Sequence, residues 1–219
     1  MERTPPELCD NLLLTGPARL PTRYGSFRIF AAQCPLTGED HVALVKGRIA
    51  GGEDVLVRLH SECVTGDVFA SQRCDCGAQL DAALKKIGRS ARGALLYMAQ
   101  EGRGIGIANK VAAYHLQDQG LDTVDANRVL GFPADLRTYQ CAACILRVLG
   151  VRSIRLMTNN PAKIEALQSY GVSVSNRIPL QVGATGTNVR YLRTKKERLA
   201  HLLDERRLSA RGRRRPGPR

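Results

Sequence analysis

From residue 93 onward the chain alternates short apolar runs with stretches whose apolar positions recur three and four residues apart. The runs at 94–98, 153–157 and 172–178 have the length of buried strands, and 107–119, 138–149, 161–170 and 191–203 carry the helical period. Gly120, Gly150 and Gly171 follow three of these helices where a stop is expected, and Pro161 stands at the first turn of the third. Upstream, 41–45 and 54–60 are β-rich, the second with alternating apolar and polar positions, and Gly51-Gly52 between them signals a turn. Leu80, Leu84 and Ile87 share one face of a helix over 78–87, and 63–76 must be a loop, with or without a short helix. The first forty residues, punctuated by Pro5, Pro6, Gly16, Pro17, Pro21 and Gly25, read as irregular. Strands alternating with helices predict an α/β fold, a mixed sheet with packed helices in a single domain. Its expected limits are 20–204, between an irregular segment 1–19 and a basic, disordered tail 205–219.

Composition changes the picture in two places. The formal net charge is +13 over 219 residues, and the tail from Glu205 to Arg219 holds seven arginines against one glutamate, so +7 remains on the body. A basic body suits anionic ligands such as phosphates. Aromatic residues make up 5% and tryptophan is absent, which leaves few stacking platforms and argues against nucleic acid as the partner. The N-terminus lacks an apolar targeting region and no apolar run spans a bilayer, so the expected location is the cytoplasm. Thiols stay reduced there, and seven cysteines then point to metal or catalysis before disulfides.

Cys63, Cys74 and Cys76 are close enough in sequence to reach one ion, and zinc prefers such sulfur ligands. Three protein ligands leave a fourth position for water, as in catalytic sites, where the pKa of that water falls to about 7. Spacing alone leaves a closed structural site open as well, with His60 or a distant residue as fourth ligand. Cys141 and Cys144, with Ile145 and Val148, fall on one helical stripe and read as core; Cys9 and Cys34 carry no readable signal. Glu101-Gly-Arg-Gly-Ile-Gly106 follows a strand and opens a helix, a place where backbone N–H groups bind phosphate. It is not a P-loop, since Gly-Lys-Ser/Thr is missing. Asp135 and Arg137 precede a predicted helix, and Thr158-Asn-Asn-Pro-Ala-Lys163 lies where a strand hands over to a helix.

Taken together, Arg58-Leu-His-Ser-Glu-Cys63, Thr65-Gly-Asp67, Arg73-Cys-Asp-Cys-Gly77 with Gln79, Gln100-Glu-Gly-Arg103, Asn109-Lys110, Tyr114, Leu116-Gln-Asp-Gln-Gly120, Ala134-Asp135 with Arg137, and Thr158-Asn-Asn-Pro161 with Lys163 resemble GTP cyclohydrolase II from about Leu20 to about Leu203. The resemblance implies Cys63, Cys74 and Cys76 as ligands of one zinc ion. It implies Arg58, Leu59, His60, Ser61, Glu62, Gln79, Glu101, Gly102, Arg103, Thr123, Thr158 and Lys163 as nucleotide-binding positions. Asp135 matches the family's proton acceptor, Arg137 its nucleophile toward the α-phosphorus, and Tyr114 a tyrosine near the scissile part of the base. A guanidinium keeps its proton, so charge stabilisation of departing pyrophosphate is the simpler role for Arg137. The implied reaction converts GTP and water to 2,5-diamino-6-ribosylamino-4(3H)-pyrimidinone 5′-phosphate, formate and pyrophosphate, the first committed step of riboflavin synthesis. Zinc would face C8 of the guanine, Mg2+ would accompany the triphosphate, and the assembly would be a homodimer. A fused 3,4-dihydroxy-2-butanone 4-phosphate synthase domain, found in many bacterial members, is not expected within these 219 residues.

Overall fold

The computed structural model describes residues 9–204. They form one seven-stranded mixed sheet in the order β1-β2-β3-β5-β4-β6-β7. The strands are β1 Leu13–Thr22, β2 Gly25–Gln33, β3 Asp40–Lys46, β4 Val55–Ser61, β5 Gly93–Met98, β6 Ser153–Met157 and β7 Ser173–Ile178. β1, β2, β3 and β5 pair antiparallel, whereas β5, β4, β6 and β7 run parallel. The helices are α1 Val64–Asp67, α2 Cys76–Gly88, α3 Gly106–Asp118, α4 Thr123–Val129, α5 Gln140–Val148, α6 Pro161–Ser169 and α7 Val189–Leu199, with a 3-10 turn at Glu101–Gly104.

β4 lies in the middle of the parallel half and is buried along Val55–His60. Its period-two alternation divides the molecule. Val55, Val57 and Leu59 join the larger core with α5 and α6 residues such as Ile145 and Leu167. Leu56 packs on the other face with Ala83 and Ile87 of α2. Arg58 and His60 share that second face and stand near the carboxyl end of the strand, which is where polar side chains can be both buried and functional.

The predicted mixed α/β architecture is present, and each strand and helix expected after residue 40 has a counterpart. Three expectations are corrected. Within the described part of the first forty residues the chain is not irregular: β1 and β2 form an antiparallel pair, with a register irregularity between Thr15 and Ala18. Pro17 and Pro21 are tolerated because β1 is the sheet edge and needs no outer hydrogen bonds. The terminal helix ends at Leu199 rather than 203, stopped by Ala200 in the left-handed region at φ 51°. Finally, four cysteines are not free thiols: Cys9 is bonded to Cys144 and Cys34 to Cys141, with Cα–Cα separations of 4.8 and 6.0 Å. Cys141 and Cys144 do lie in the core, as the helical stripe indicates, but partners 107 and 135 residues away cannot be paired from spacing. The expected basic tail at 205–219 falls outside the described residues.

Candidate active site

Three parallel strands end at the same edge, and each hands over to a segment carrying polar residues. β4 leads into Glu62 and Cys63, β5 into Gln100–Arg103, and β6 into Thr158–Asn160 and then Lys163 on α6. One cavity opens over this edge and is lined by Arg58, His60, the three free cysteines, Gln79, Arg103, Tyr114, Thr123, Arg137, Thr158 and Lys163 among others. The carboxyl edge of a parallel sheet is the general ligand position of α/β folds.

Cys63 caps α1, and Cys74 and Cys76 enter α2, with Asp75 as its N-cap. The three sulfurs lie within 4.8 Å of one another, and Cys63 Sγ is 3.6 Å from Cys74 Sγ. A tetrahedral zinc with bonds of about 2.3 Å separates its sulfurs by about 3.8 Å, so the spacing fits. The chemistry of the trio fits equally. Hydrogen bonds from Cys74 and Cys76 pull the Cys63 thiol far down, while the Cys63 sulfur pushes Cys74 up to about 11 and Cys76 well above the ordinary thiol value. Three thiols this close cannot all ionise without a cation among them. Lys110 Nζ donates to Cys63 Sγ at 3.1 Å and to Thr65 Oγ1 at 2.9 Å, which supports one thiolate in advance.

His60 does not close the group. Its Nε2 lies 3.0 and 3.1 Å from the two oxygens of Asp67, which also accept from Tyr97 Oη at 2.9 Å and Cys63 N at 3.0 Å. Cys63, Cys74 and Cys76 thus form a group of three among the described residues that could hold a metal ion, with no fourth protein ligand beside them in that group. Gly66 is the reason they can converge. A Cβ there would meet Cys74 Sγ at 2.9 Å and Cys63 Sγ at 3.3 Å. Gly66→Ala is therefore expected to lower bound zinc per chain at least tenfold at limiting metal while the sheet stays folded; elemental analysis beside circular dichroism checks this.

The nucleotide-binding positions implied by the resemblance gather around the same cavity, except that the Leu59 side chain is in the core at 1% exposure. Only its carbonyl reaches the site, accepting from Lys163 Nζ at 3.0 Å. Of the residues given catalytic roles, Asp135 is partly exposed and meets the cavity through Arg137, which it grips at 2.8 Å from Nε and 2.5 Å from Nη2. Burial opposes both charges, yet the pairing outweighs it: the Asp135 carboxyl is lowered and the Arg137 guanidinium raised. Glu101 has both oxygens engaged, by Val64 N at 2.6 Å, and by Gly102 N and Lys110 Nζ at 2.7 Å. It therefore shapes the strip in which Gly102 and Arg103 take left-handed φ values of 62° and 63°, free for the glycine but strained for Arg103. Tyr114 is linked to Cys63 through Thr65, its Oη 3.2 Å from Thr65 Oγ1, which lies 3.6 Å from Cys63 Sγ. Thr158 is buried at the end of β6, and Thr123 opens α4 behind its cap Asp122.

Among the described residues, the buried side-chain polar atoms without a hydrogen-bond partner are Arg58 Nε, His60 Nδ1 and Gln100 Oε1. All three residues line this one cavity. Buried donors and acceptors are nearly always satisfied, so a cluster of orphans at a cavity marks a place where a polar ligand completes them. Lys163 adds a cationic counterpart. It is buried, donates to a carbonyl rather than a carboxylate, and sits 5.5 Å from the Tyr139 ring centroid. Burial, then Arg137 and Arg58 nearby, push its pKa well below the lysine value. An anion binding there favours the charged form, so within the window between the free and bound pKa values binding takes up a proton and weakens as pH rises. Calorimetry of nucleotide binding in two buffers of different ionisation enthalpy is expected to show this uptake, and Lys163→Met is expected to abolish it.

The family model of GTP cyclohydrolase II matches residues 15–179. The chain belongs to the GTP cyclohydrolase II family. The GTP cyclohydrolase-2 of Aeromonas hydrophila subsp. hydrophila is 53% identical over 194 residues, covering 89% of this chain and 98% of that protein. The riboflavin biosynthesis proteins RibBA of Endomicrobium trichonymphae and Bacillus subtilis (strain 168) are 52% and 56% identical, each over 84% of this chain and 46% of theirs. The chain thus spans about half the length of the RibBA relatives it matches.

Several residues in and around this cavity are not legible in the sequence. Asp67 and Lys110 fall in the quoted motifs, yet nothing in spacing shows that one holds His60 and the other Cys63. Tyr191, Lys195 and His201 line the cavity from beyond the matched span, and burial with Lys195 nearby lowers His201 to about 4, so it is neutral. A second group, Cys34, His41 and Cys141, also lies within 4.8 Å. It is a poor metal site: its two sulfurs are bonded to each other, and His41 Nδ1 accepts from Ala99 N at 3.2 Å, which leaves the proton on Nε2. No described helix is long and apolar enough to cross a membrane.

Proposed function

We propose that this chain is a zinc-dependent GTP cyclohydrolase II that converts GTP and water to 2,5-diamino-6-ribosylamino-4(3H)-pyrimidinone 5′-phosphate, formate and pyrophosphate. The observation that carries the reading is a coincidence in one cavity. An open three-cysteine group, unsatisfied donors and acceptors, and a buried lysine that donates to a carbonyl rather than a carboxylate all meet there. Zinc, held by Cys63, Cys74 and Cys76, supplies Lewis acidity and activation of water for hydrolysis at C8 of the guanine.

The chain's own residues supply the rest. Arg58, His60 and Gln100 offer the base and ribose two acceptors and one donor that have no internal partner. Lys163 and Arg103 meet the triphosphate, which brings Mg2+ with it. Arg137 is held protonated by its bidentate grip on Asp135 and stabilises charge on the departing pyrophosphate; a guanidinium so paired has no lone pair for attack on phosphorus. Asp135, kept ionised by the same pair, can accept a proton. Tyr114 carries its hydroxyl 3.2 Å from Thr65 Oγ1, and the Arg73 guanidinium lies 4.7 Å from its ring centroid. That hydroxyl is linked through Thr65 to Cys63, and in this reading it serves the second hydrolysis, which frees formate.

Incubation of the purified protein with GTP and Mg2+, followed by product analysis, tests the reading. Formate, pyrophosphate and the deformylated pyrimidine in equal amounts are expected. A formylated pyrimidine without formate, or GTP unchanged over hours, would sink it. Cytoplasmic location and a homodimer belong to the same reading, and a sedimentation mass of twice 23.9 kDa is the expected value for the assembly.

A further inference from the structure

Helix α7 lies beyond the residues matched by the family model, and its docking is unusual. Its apolar anchor is small: Leu192 and Leu203 are buried with Ala184 and Tyr191 against them, a cluster separate from both main cores. The stronger attachments are ionic, and they go to two different walls of the nucleotide cavity. Lys195 Nζ donates to Asp75 Oδ1 at 2.6 Å, and both side chains are buried, at 12% and 3% exposure. Lys195 also lies over the Tyr191 ring, 4.4 Å from its centroid. One turn further, Arg198 pairs with Asp122 and, at 2.8 and 3.1 Å, with Asp125.

The acidic partners are placed to pass this on. Asp75 also accepts from the Gln79 side-chain amide, and Gln79 Oε1 accepts from Arg58 Nη2 at 2.5 Å. An ionised carboxylate can only accept and a guanidinium can only donate, so the two fix which end of the Gln79 amide faces which way. One N–H and one lone pair of that amide then remain, in a defined orientation, for a ligand. On the other wall, Asp122 caps α4 through Val124 N at 2.8 Å and Asp125 N at 2.9 Å, so Thr123 lies between the two residues that Arg198 holds.

We propose that α7 is a brace across the nucleotide site, in which Lys195 and Arg198 are positioning residues that set Gln79 through Asp75 and Thr123 through Asp122 and Asp125. The proposal rests on the GTP cyclohydrolase reading above. It implies that both residues act on nucleotide capture more than on the hydrolytic steps, because neither is a partner of the sulfurs or of Arg137 in the hydrogen bonds described.

The test uses the full chain and the variants Lys195→Met, Lys195→Arg, Arg198→Met and the double methionine variant, assayed for formate release from GTP with zinc content and Tm measured on each. Lys195→Met is expected to raise KM for GTP about tenfold, the size of a lost charge-assisted hydrogen bond, with kcat within about threefold. Arg198→Met, at a more exposed pair, is expected to raise KM about threefold. Lys195→Arg should recover most of the loss, and the double variant should fall short of the product of the single effects, since both act through one helix. Wild-type KM in zinc-loaded, folded Lys195→Met would overturn the proposal. So would a loss confined to zinc content, Tm or kcat that arginine fails to rescue, because a merely structural role gives that pattern. Failure of the wild-type chain to release formate would instead sink the parent reading.

Discussion

Replacing Cys74 with serine is expected to cut formate release from GTP by about a thousandfold or more, with GTP binding retained within about tenfold. The asymmetry follows from the layout. The sulfurs hydrogen-bond each other and Lys110, whereas Lys163 and Arg137, the groups proposed to meet the triphosphate, hydrogen-bond Leu59 O and Ser61 and make no hydrogen bond to a sulfur among those described. Removing one of three ligands forfeits several kcal/mol of Lewis-acid stabilisation, and each 1.4 kcal/mol is about tenfold in rate. Binding contacts at the triphosphate are untouched. Cys74 is the ligand of choice because it is half-buried and precedes α2, so a serine there disturbs no core packing. Steady-state formate assays beside nucleotide titration of the same sample separate the two effects. Retention of full formate release would show that the cysteines are structural.

Arg137 carries the second large effect. Arg137→Ala is expected to lower kcat roughly a hundred- to thousandfold with little change in KM, the size seen when one preorganised charge-stabilising group is removed. Arg137→Lys should recover part of the rate, since the charge returns, but not all, since the bidentate grip on Asp135 is lost. Asp135→Asn should cost less when combined with Arg137→Ala than on its own, because the two side chains act as a unit. If Arg137 instead attacked phosphorus, its lysine variant would be able to form a phosphoramidate trapped as a mass shift on the protein. The charge-stabilisation account expects no such adduct.

The legible part of the fold and site is local. Period-two alternation at β4 survives as a division between two cores, although the strand is buried on both faces, and the α5 stripe buries Cys141, Cys144 and Ile145 but leaves Val148 exposed. Glycines mark boundaries where helices stop, at Gly150 and Gly171. Prolines mislead over 1–40, because Pro17 and Pro21 would break a central strand but not an edge strand. α4 leaves little trace for a different reason: Thr123–Val129 is only seven residues and is fixed by Asp122 as its cap and by Arg198 rather than by periodicity. At the site, spacing groups Cys63, Cys74 and Cys76, but the choice between open and closed coordination depends on where His60 turns. Asp67 decides that, itself held by Tyr97, and no sequence pattern records it. The two disulfides and the reach of Lys195 to Asp75 are contacts across more than a hundred residues, set by the topology of the whole sheet.

The central claim is that the three-cysteine group performs chemistry on GTP. The most direct measurement is a titration of zinc into chelator-stripped protein, following formate release from GTP and zinc bound per chain together. Formate release should rise in proportion to bound zinc and level off at one zinc per chain, while GTP binding to the stripped protein persists. Formate release that is already full before zinc is added, or that stays at zero when one zinc per chain is bound, would contradict the account.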